Sequence, residues 1–383
     1  MSFDNLGLSP ILNHNLDELG YRTPTPVQAK TIPLALEGRD VLGSAQTGTG
    51  KTAAFGLPII QRLALQTSEA SGALVSRKPR ALVLTPTREL ALQVTESIRD
   101  LGRKTGLRTV AIFGGVGIQP QIETLRRGVH VVVATPGRLL DHMQQQTVDL
   151  SGVEILTIDE ADRMMDMGFL PALRRILAAL PKQRQTMLFS ATFPDEIRKL
   201  AVQFMRDPAE VQIAGRNSAA VTVAHRVHRV HQDRKRDLLI HLLKKSGDQT
   251  LVFCRTKHGS DRLCRQLTAS GIHAAAIHGN KSQNARTQAL RDFKSGRVHV
   301  LVATDIAARG LDIEQLPVVI NFDLPMVAED YIHRIGRTGR AGSGGLALSL
   351  VTHAEMDQLR GIQRLLIKDI IDFAPVVGFE CAS

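Results

Sequence analysis

Ala45-Gln46-Thr47-Gly48-Thr49-Gly50-Lys51-Thr52 follows a short apolar run, Asp40–Gly43, and opens an amphipathic stretch running through Arg62. A glycine-rich turn between a strand and a helix is the setting of a phosphate-binding loop. The glycines let backbone N–H groups approach phosphate oxygens, and the helix N-terminus adds positive potential. Lys51 can reach the outer phosphates of a nucleotide such as ATP, and Thr52 can ligate magnesium. Ala45 stands where the general pattern has its first glycine, so the match is to a variant form.

Working outward, short β-branched runs alternate with amphipathic helical stretches along the whole chain. Strands are expected near Asp40–Gly43, Ala81–Thr85, Thr109–Phe113, Val129–Ala134, Ile155–Ile158 and Thr186–Ser190. A second set is expected near Thr250–Cys254, His273–Ile277, Val298–Ala303, Val318–Asn321 and Leu346–Val351. Unbroken apolar strands between helices imply mostly parallel sheets covered on both faces, an α/β fold. Gly215-Arg216-Asn217-Ser218-Ala219-Ala220 is small and polar, which places a linker at 215–222 between domains 1–214 and 223–383. Thr67–Lys78 reads as a surface loop, and Glu355–Leu366 as a closing helix.

The chain has 383 residues, of which 43% are apolar and 22% charged, enough to bury full cores. Lys and Arg outnumber Asp and Glu by 48 to 37, an excess that suits a polyanionic partner such as nucleic acid or serves solubility alone. Aromatics are 4% of the chain, with no Trp, so an aromatic platform for stacking bases is not expected to dominate. Cys254, Cys264 and Cys381 form neither a metal nor a disulfide framework, which fits a reducing cytoplasm. No signal peptide or membrane-spanning run is apparent.

Asp159-Glu160-Ala161-Asp162 closes the apolar run Ile155–Ile158, at the carboxyl end where open α/β sheets bind ligands. Asp159 can hold Mg²⁺ and Glu160 can orient the attacking water. His333-Arg334-Ile335-Gly336-Arg337-Thr338-Gly339-Arg340 carries three arginines spaced by three. They can neutralise charge on a transferring phosphoryl group, or line one basic helix face. As fingers they require the two domains to close.

In this order the motifs resemble the DEAD-box ATP-dependent RNA helicases of superfamily 2 from Phe3 to about Val351, most closely the bacterial RhlE-type branch in Ala303–Gly342. The resemblance implies two tandem RecA-like domains, the first carrying an adenine-recognising Q motif at Phe3, Tyr21, Thr25, Pro26 and Gln28. An amide such as Gln28 can bond both N6 and N7 of adenine. Stacking by Phe3 is implied by the family; the alternative for Phe3 is a core anchor. Ser190-Ala191-Thr192 matches the motif coupling hydrolysis to unwinding, its hydroxyls able to reach Asp162, and His333 takes a coupling role. Asp305, Arg309, Gly310 and Asp312 match a second-domain motif contacting nucleotide. Arg337 and Arg340 become the fingers.

The resemblance also implies RNA-backbone contacts at Pro86, Thr87, Arg88, Gly114, Gly115, Thr135, Pro136, Gly137 and Arg138. In the second domain these are Arg255, Thr256, His278, Gly279 and Thr304. None carries a side-chain set suited to base edges, so little sequence preference is expected. His225–Arg236 is read as a strand and helix with a solvated basic face, the alternative being a second RNA patch. The implied activity is RNA-stimulated ATP hydrolysis coupled to local, non-processive unwinding of short duplexes or remodelling of RNA–protein complexes. Ribosome-assembly and RNA-decay complexes are the candidate partners. An ATP-dependent RNA clamp and a DNA helicase remain the alternatives.

Overall fold

The computed structural model describes residues 2–44, 49–69, 78–212, 223–308, 313, 316–339, 344–366 and 371–373. The chain divides into two compact units, Met1–Ala214 and Gly215–Ser383. The expected linker 215–222 lies outside the described residues.

The first unit is a wholly parallel seven-stranded sheet, ordered β3-β4-β2-β5-β6-β1-β7. Its strands are β1 (Val41–Ser44), β2 (Ala81–Leu84), β3 (Thr109–Ile112), β4 (Val131–Ala134), β5 (Ile155–Asp159), β6 (Gln185–Ser190) and β7 (Ala209–Gln212). Alternate residues serve two cores, because successive side chains leave opposite faces of a strand. Ala81 and Val83 pack with Val131, Val133 and the helices Pro26–Leu36, Lys51–Glu69 and Arg88–Leu101. Leu82 and Leu84 pack with Val132, Leu156, Ile158 and the helices Pro136–Gln144, Leu170–Ala179 and Asp195–Phe204. Covered faces on both sides explain the unbroken apolar runs. The helix after the phosphate loop continues past Arg62 to Glu69, so the expected loop Thr67–Lys78 begins inside it; residues 70–77 lie outside the described residues.

The second unit repeats the plan with the order β10-β11-β9-β12-β13-β8-β14. Its strands are β8 (Val223–Arg229), β9 (Thr250–Phe253), β10 (Ala274–Ile277), β11 (Val300–Ala303), β12 (Val318–Asn321), β13 (Gly345–Val351) and β14 (Ile371–Phe373). Val252, Val302 and Ile320 face one core; Leu251, Leu301 and Val319 face another. The closing helix spans Met356–Leu365.

The basic segment 225–236 departs from expectation. Along β8, Arg226 and Arg229 point outward, but His225 and His228 are buried. His225 Nδ1 lies 2.9 Å from the Tyr331 hydroxyl. Lys235 is 1% exposed and donates to Glu355 Oε2 at 2.7 Å, with Asp323 Oδ1 3.6 Å away. Asp323 and Glu355, 88 and 120 residues on, neutralise this lysine, so it forms an internal ion pair rather than part of a solvated face.

All strands of a sheet run parallel, so every strand-to-helix turn emerges at the same, carboxyl edge. In the first unit that edge gathers residues 49–52, 86–88, 114–115, 135–138, 159–162 and 190–192. In the second it gathers 255–256, 278–279 and 304–305.

Candidate functional site

At the end of β1 the phosphate loop turns into the helix beginning at Lys51. Ala45, Gln46, Thr47 and Gly48 lie outside the described residues; Thr49, Gly50, Lys51 and Thr52 are within them. Gly50 sits at φ +88°, and a Cβ there would overlap the Gln28 amide. Gln28 is buried with both ends committed. Its Oε1 accepts from the Thr25 backbone N–H at 2.8 Å, and its Nε2 donates to the Gly50 carbonyl at 3.1 Å. The Gln28 helix is thereby tied to the phosphate loop. Phe3, expected to stack on adenine, is buried in the hydrophobic core and meets the Tyr21 ring edge-on, 6.3 Å between centroids. As it stands it is a core anchor, and Tyr21 is the more exposed aromatic, at 36%.

The acidic tetrad divides into different duties. Asp159 is buried at the end of β5, its Oδ1 3.7 Å from Lys51 Nζ and without a hydrogen-bond partner. Burial pushes its carboxyl up to about 6 against the pull of Lys51, with Glu160 and Asp162 pushing the same way as burial. A buried carboxylate oxygen beside an ammonium group, with no donor of its own, fits a cation and phosphate site. Glu160 adopts a left-handed conformation (φ 56°, ψ 54°), and its Oε2 accepts from Arg163 Nη1 at 3.2 Å. Asp162 is saturated instead. Its Oδ2 accepts from the backbone N–H groups of Ala191 (3.1 Å) and Thr192 (2.9 Å) and from the Thr192 hydroxyl (3.0 Å). The Asp162 N–H donates to Ser190 Oγ, which donates on to the Thr192 carbonyl. The tetrad is thus laced to 190–192 on the neighbouring strand. Sequence reading missed Arg163; its signal was an arginine three residues after Glu160, at helical spacing.

In the second unit the arginine series splits. The helix Ala328–Ile335 ends before Arg337, so the arginines do not line one helix face. Arg334 is 2% exposed and grips Asp305 with two hydrogen bonds, Nε to Oδ1 at 2.6 Å and Nη2 to Oδ2 at 2.8 Å. Its Nη1 donates to Asn321 Oδ1 and the Asp323 carbonyl, and the guanidinium lies 4.8 Å from the Phe253 ring centroid. Both oxygens of Asp305, expected to contact nucleotide, are therefore engaged by Arg334, and Asp305 serves here as a structural partner. Arg337 is buried and His333 half-buried. Arg309, Gly310, Asp312 and Arg340 lie outside the described residues.

The expected RNA loops share the carboxyl edge of their own sheets. Thr87 Oγ1 accepts from the Leu90 N–H at 3.3 Å and caps the helix begun by Arg88. The Arg88 guanidinium covers Gly115, which has φ +77°; a Cβ there would overlap it. Thr135 and Pro136 open the next helix, and Gly137 faces open space. Arg138 Nη2 donates to the Val116 carbonyl at 2.9 Å; its Nε and Nη1 are buried without hydrogen-bond partners, although Nε lies 3.5 Å from Asp141 Oδ2. In the second unit Thr256 caps its helix through the Gly259 N–H at 3.0 Å. The Arg255 N–H donates to Asp323 Oδ2 at 2.9 Å. Lys257 Nζ stands 3.6 Å from where a Gly279 Cβ would lie and donates to Asn280 Oδ1. His278 Nε2 lies 3.0 Å from Asp261 Oδ2; bonds from Lys281 and His278 hold that carboxyl below its usual range. Thr304 is buried at the end of β11.

Residues 25–200 match the family model "DEAD/DEAH box helicase", and residues 234–342 match "Helicase conserved C-terminal domain". Similar curated proteins include the DEAD-box ATP-dependent RNA helicase CshA of Geobacillus kaustophilus, 44% identical over 95% of this chain and 76% of that protein. The ATP-dependent RNA helicase CshA of Listeria monocytogenes is 44% identical over 94% of this chain and 68% of its own length. Among solved structures, S. cerevisiae Dbp5 bound to RNA and ADP BeF3 superimposes with a TM-score of 0.82 at 30% identity, covering 98% of this chain and 95% of that one. A DEAD box protein from Methanococcus jannaschii gives a TM-score of 0.55 at 38% identity, covering 98% and 99%. The two curated relatives carry the CshA name and lend no support to an RhlE-type branch.

Proposed function

The chain belongs to the DEAD/DEAH box helicase family, and from that premise we propose that it is an RNA-stimulated ATPase that locally separates short RNA duplexes or remodels RNA–protein complexes. The observation that carries this reading is the unequal use of the tetrad. Asp162 is fully bonded to Ser190-Ala191-Thr192, while Asp159 keeps an unbonded oxygen beside Lys51. One carboxylate keeps an oxygen without a hydrogen-bond donor, and Asp162 is wired to the segment expected to couple hydrolysis to unwinding.

In this reading Gly48, Thr49, Gly50 and Lys51 hold the phosphates, and Gln28 braces Gly50 while its second amide proton and second carbonyl lone pair recognise the base. Thr52 and Asp159 are the residues that would hold magnesium, which when bound supplies charge neutralisation across the phosphates. Among the described residues no group of three or more His, Cys, Asp and Glu could cage a metal, and magnesium needs none, since it is commonly bound by one or two carboxylates plus substrate oxygens. Glu160 orients the attacking water. Arg337 and Arg340 neutralise developing charge when nucleotide and RNA are both bound, which makes RNA a condition for turnover. The loops at 86–88, 114–115, 135–138, 255–256, 278–279 and 304 bind the RNA backbone; the gathering of these turns at the carboxyl edge of each sheet supports this. Contacts of this kind position a strand without reading its bases. We place the protein in the cytoplasm; among the described residues no helix is long and apolar enough to cross a membrane. Its partners are RNA and complexes built on RNA, such as those of ribosome assembly or RNA decay.

Steady-state ATP turnover with and without a single-stranded RNA tests the reading. Stimulation by RNA is expected, together with a loss of about 10²–10⁴-fold in Glu160→Gln. Turnover indifferent to RNA, or retained in that variant, refutes it.

A further inference from the structure

Gln121 and His142 belong to none of the motifs above, yet both are buried polar side chains, 7% and 0% exposed, beneath two of the loops assigned to RNA. Gln121 Nε2 donates to the carbonyl of Phe113, immediately before Gly114-Gly115, at 3.0 Å. His142 lies on the helix that Pro136-Gly137-Arg138 opens. Its Nε2 is 3.3 Å from Gln121 Oε1, and its Nδ1 is 2.7 Å from Thr147 Oγ1. The polarity of this chain is set by its first link. The Gln121 nitrogen faces a carbonyl and must donate, so its oxygen faces the imidazole and must accept. His142 Nε2 therefore carries the proton toward Gln121, while the single proton of the Thr147 hydroxyl is shared between His142 Nδ1 at 2.7 Å and the His142 carbonyl at 3.2 Å. Arg138, itself largely buried, ties the same two segments through the Val116 carbonyl. Residues 113–116 and 135–138 are thus joined twice, once by the Gln121–His142 relay and once by this arginine.

We propose that Gln121 and His142 are positioning residues for the RNA grip, holding the Gly114-Gly115 and Thr135–Arg138 loops at the fixed spacing that successive phosphates of one strand require. This inference rests on the reading that those loops bind RNA. Neither side chain touches the strand; each removes freedom that RNA binding would otherwise have to quench. The two links through Gln121 allow one polarity, which suits them to the task, since reversing either leaves a buried group unsatisfied.

The test is the RNA dependence of ATP turnover for Gln121→Glu, His142→Leu, His142→Gln and Arg88→Gln, with single-stranded RNA as the probe. Gln121→Glu keeps the size of the side chain but replaces the N–H donor with an acceptor oxygen facing the Phe113 carbonyl. His142→Leu removes the donor, and His142→Gln restores an N–H at similar reach. Gln121→Glu and His142→Leu are expected to raise the half-saturating RNA concentration by about fivefold or more, the size of one lost buried hydrogen bond. Turnover at saturating RNA and the RNA-free ATP half-saturation should stay within about twofold of wild type, and His142→Gln should return RNA half-saturation close to wild type. Unchanged RNA half-saturation in these variants, with a rise in Arg88→Gln, overturns the positioning role and leaves the loop reading intact. An equal loss of ATP affinity also overturns it, in favour of a general structural role. No effect in Arg88→Gln removes the loop reading itself, and the inference with it.

Discussion

His142 illustrates how a buried side chain responds to its surroundings. Burial holds its imidazole below the ordinary value of 6.5, with Arg138 adding to the effect and Asp141 opposing it. His130 is shifted the same way by burial, Arg108 and Arg80. The folded state disfavours protonation of both rings, so the unfolded chain takes up protons first as pH falls. Their stabilising contribution is complete above the unfolded value and is lost as pH drops below it. Urea unfolding should therefore show a lower midpoint at about pH 5.5 than at about pH 7.5, at up to about 1.4 kcal/mol per pH unit per histidine. His142→Gln should make the decline shallower; an unchanged slope contradicts the assignment. At the same scale, the place of Asp159, Glu160 and Asp162 at the carboxyl end of a buried strand was legible in the sequence. Their separate fates were not, because saturation of Asp162 depends on 190–192 and the Glu160–Arg163 pair on a left-handed turn.

Among the elements, the central strands were legible because both of their faces are covered and their residues run apolar without a break. β7 was not: its residues Ala209–Gln212 are mostly exposed at the sheet edge, with only Val211 buried. The basic segment at β8 misled because the pattern of charge does not reveal a distant partner; Lys235 is paired by Glu355, 120 residues on. The arginine series misled for a related reason. Spacing by three suggested equivalence, but the helix stops at Ile335, so Arg334 turns inward to Asp305 while Arg337 belongs to the following turn. Arg334→Met should destabilise the second unit, since removing one partner of a buried pair typically costs roughly 3–5 kcal/mol. The low end is expected because Asp305 remains 25% exposed. Chemical denaturation measures this, and a change under about 0.5 kcal/mol, the range of ordinary surface substitutions, would show the pair to be incidental.

For the whole molecule, parallel topology is the organising fact. It sends every functional turn of a sheet to one edge, so residues from distant parts of the chain collect there without further design. The sequence motifs located those turns, and the resemblance supplied their expected partners. The connecting chemistry beneath them, including Gln121, His142, Arg163 and Glu355, was hidden because each acts through tertiary contacts rather than a recognisable spacing.

The central claim is that RNA binding licenses ATP turnover. The most direct measurement is the steady-state ATPase rate titrated with RNA and with DNA of the same sequence, at two salt concentrations. Saturable stimulation by RNA is expected, with a half-saturation point that rises with salt as phosphate contacts weaken, and little stimulation by DNA. A rate unmoved by RNA, or raised equally by both nucleic acids, would contradict the central claim.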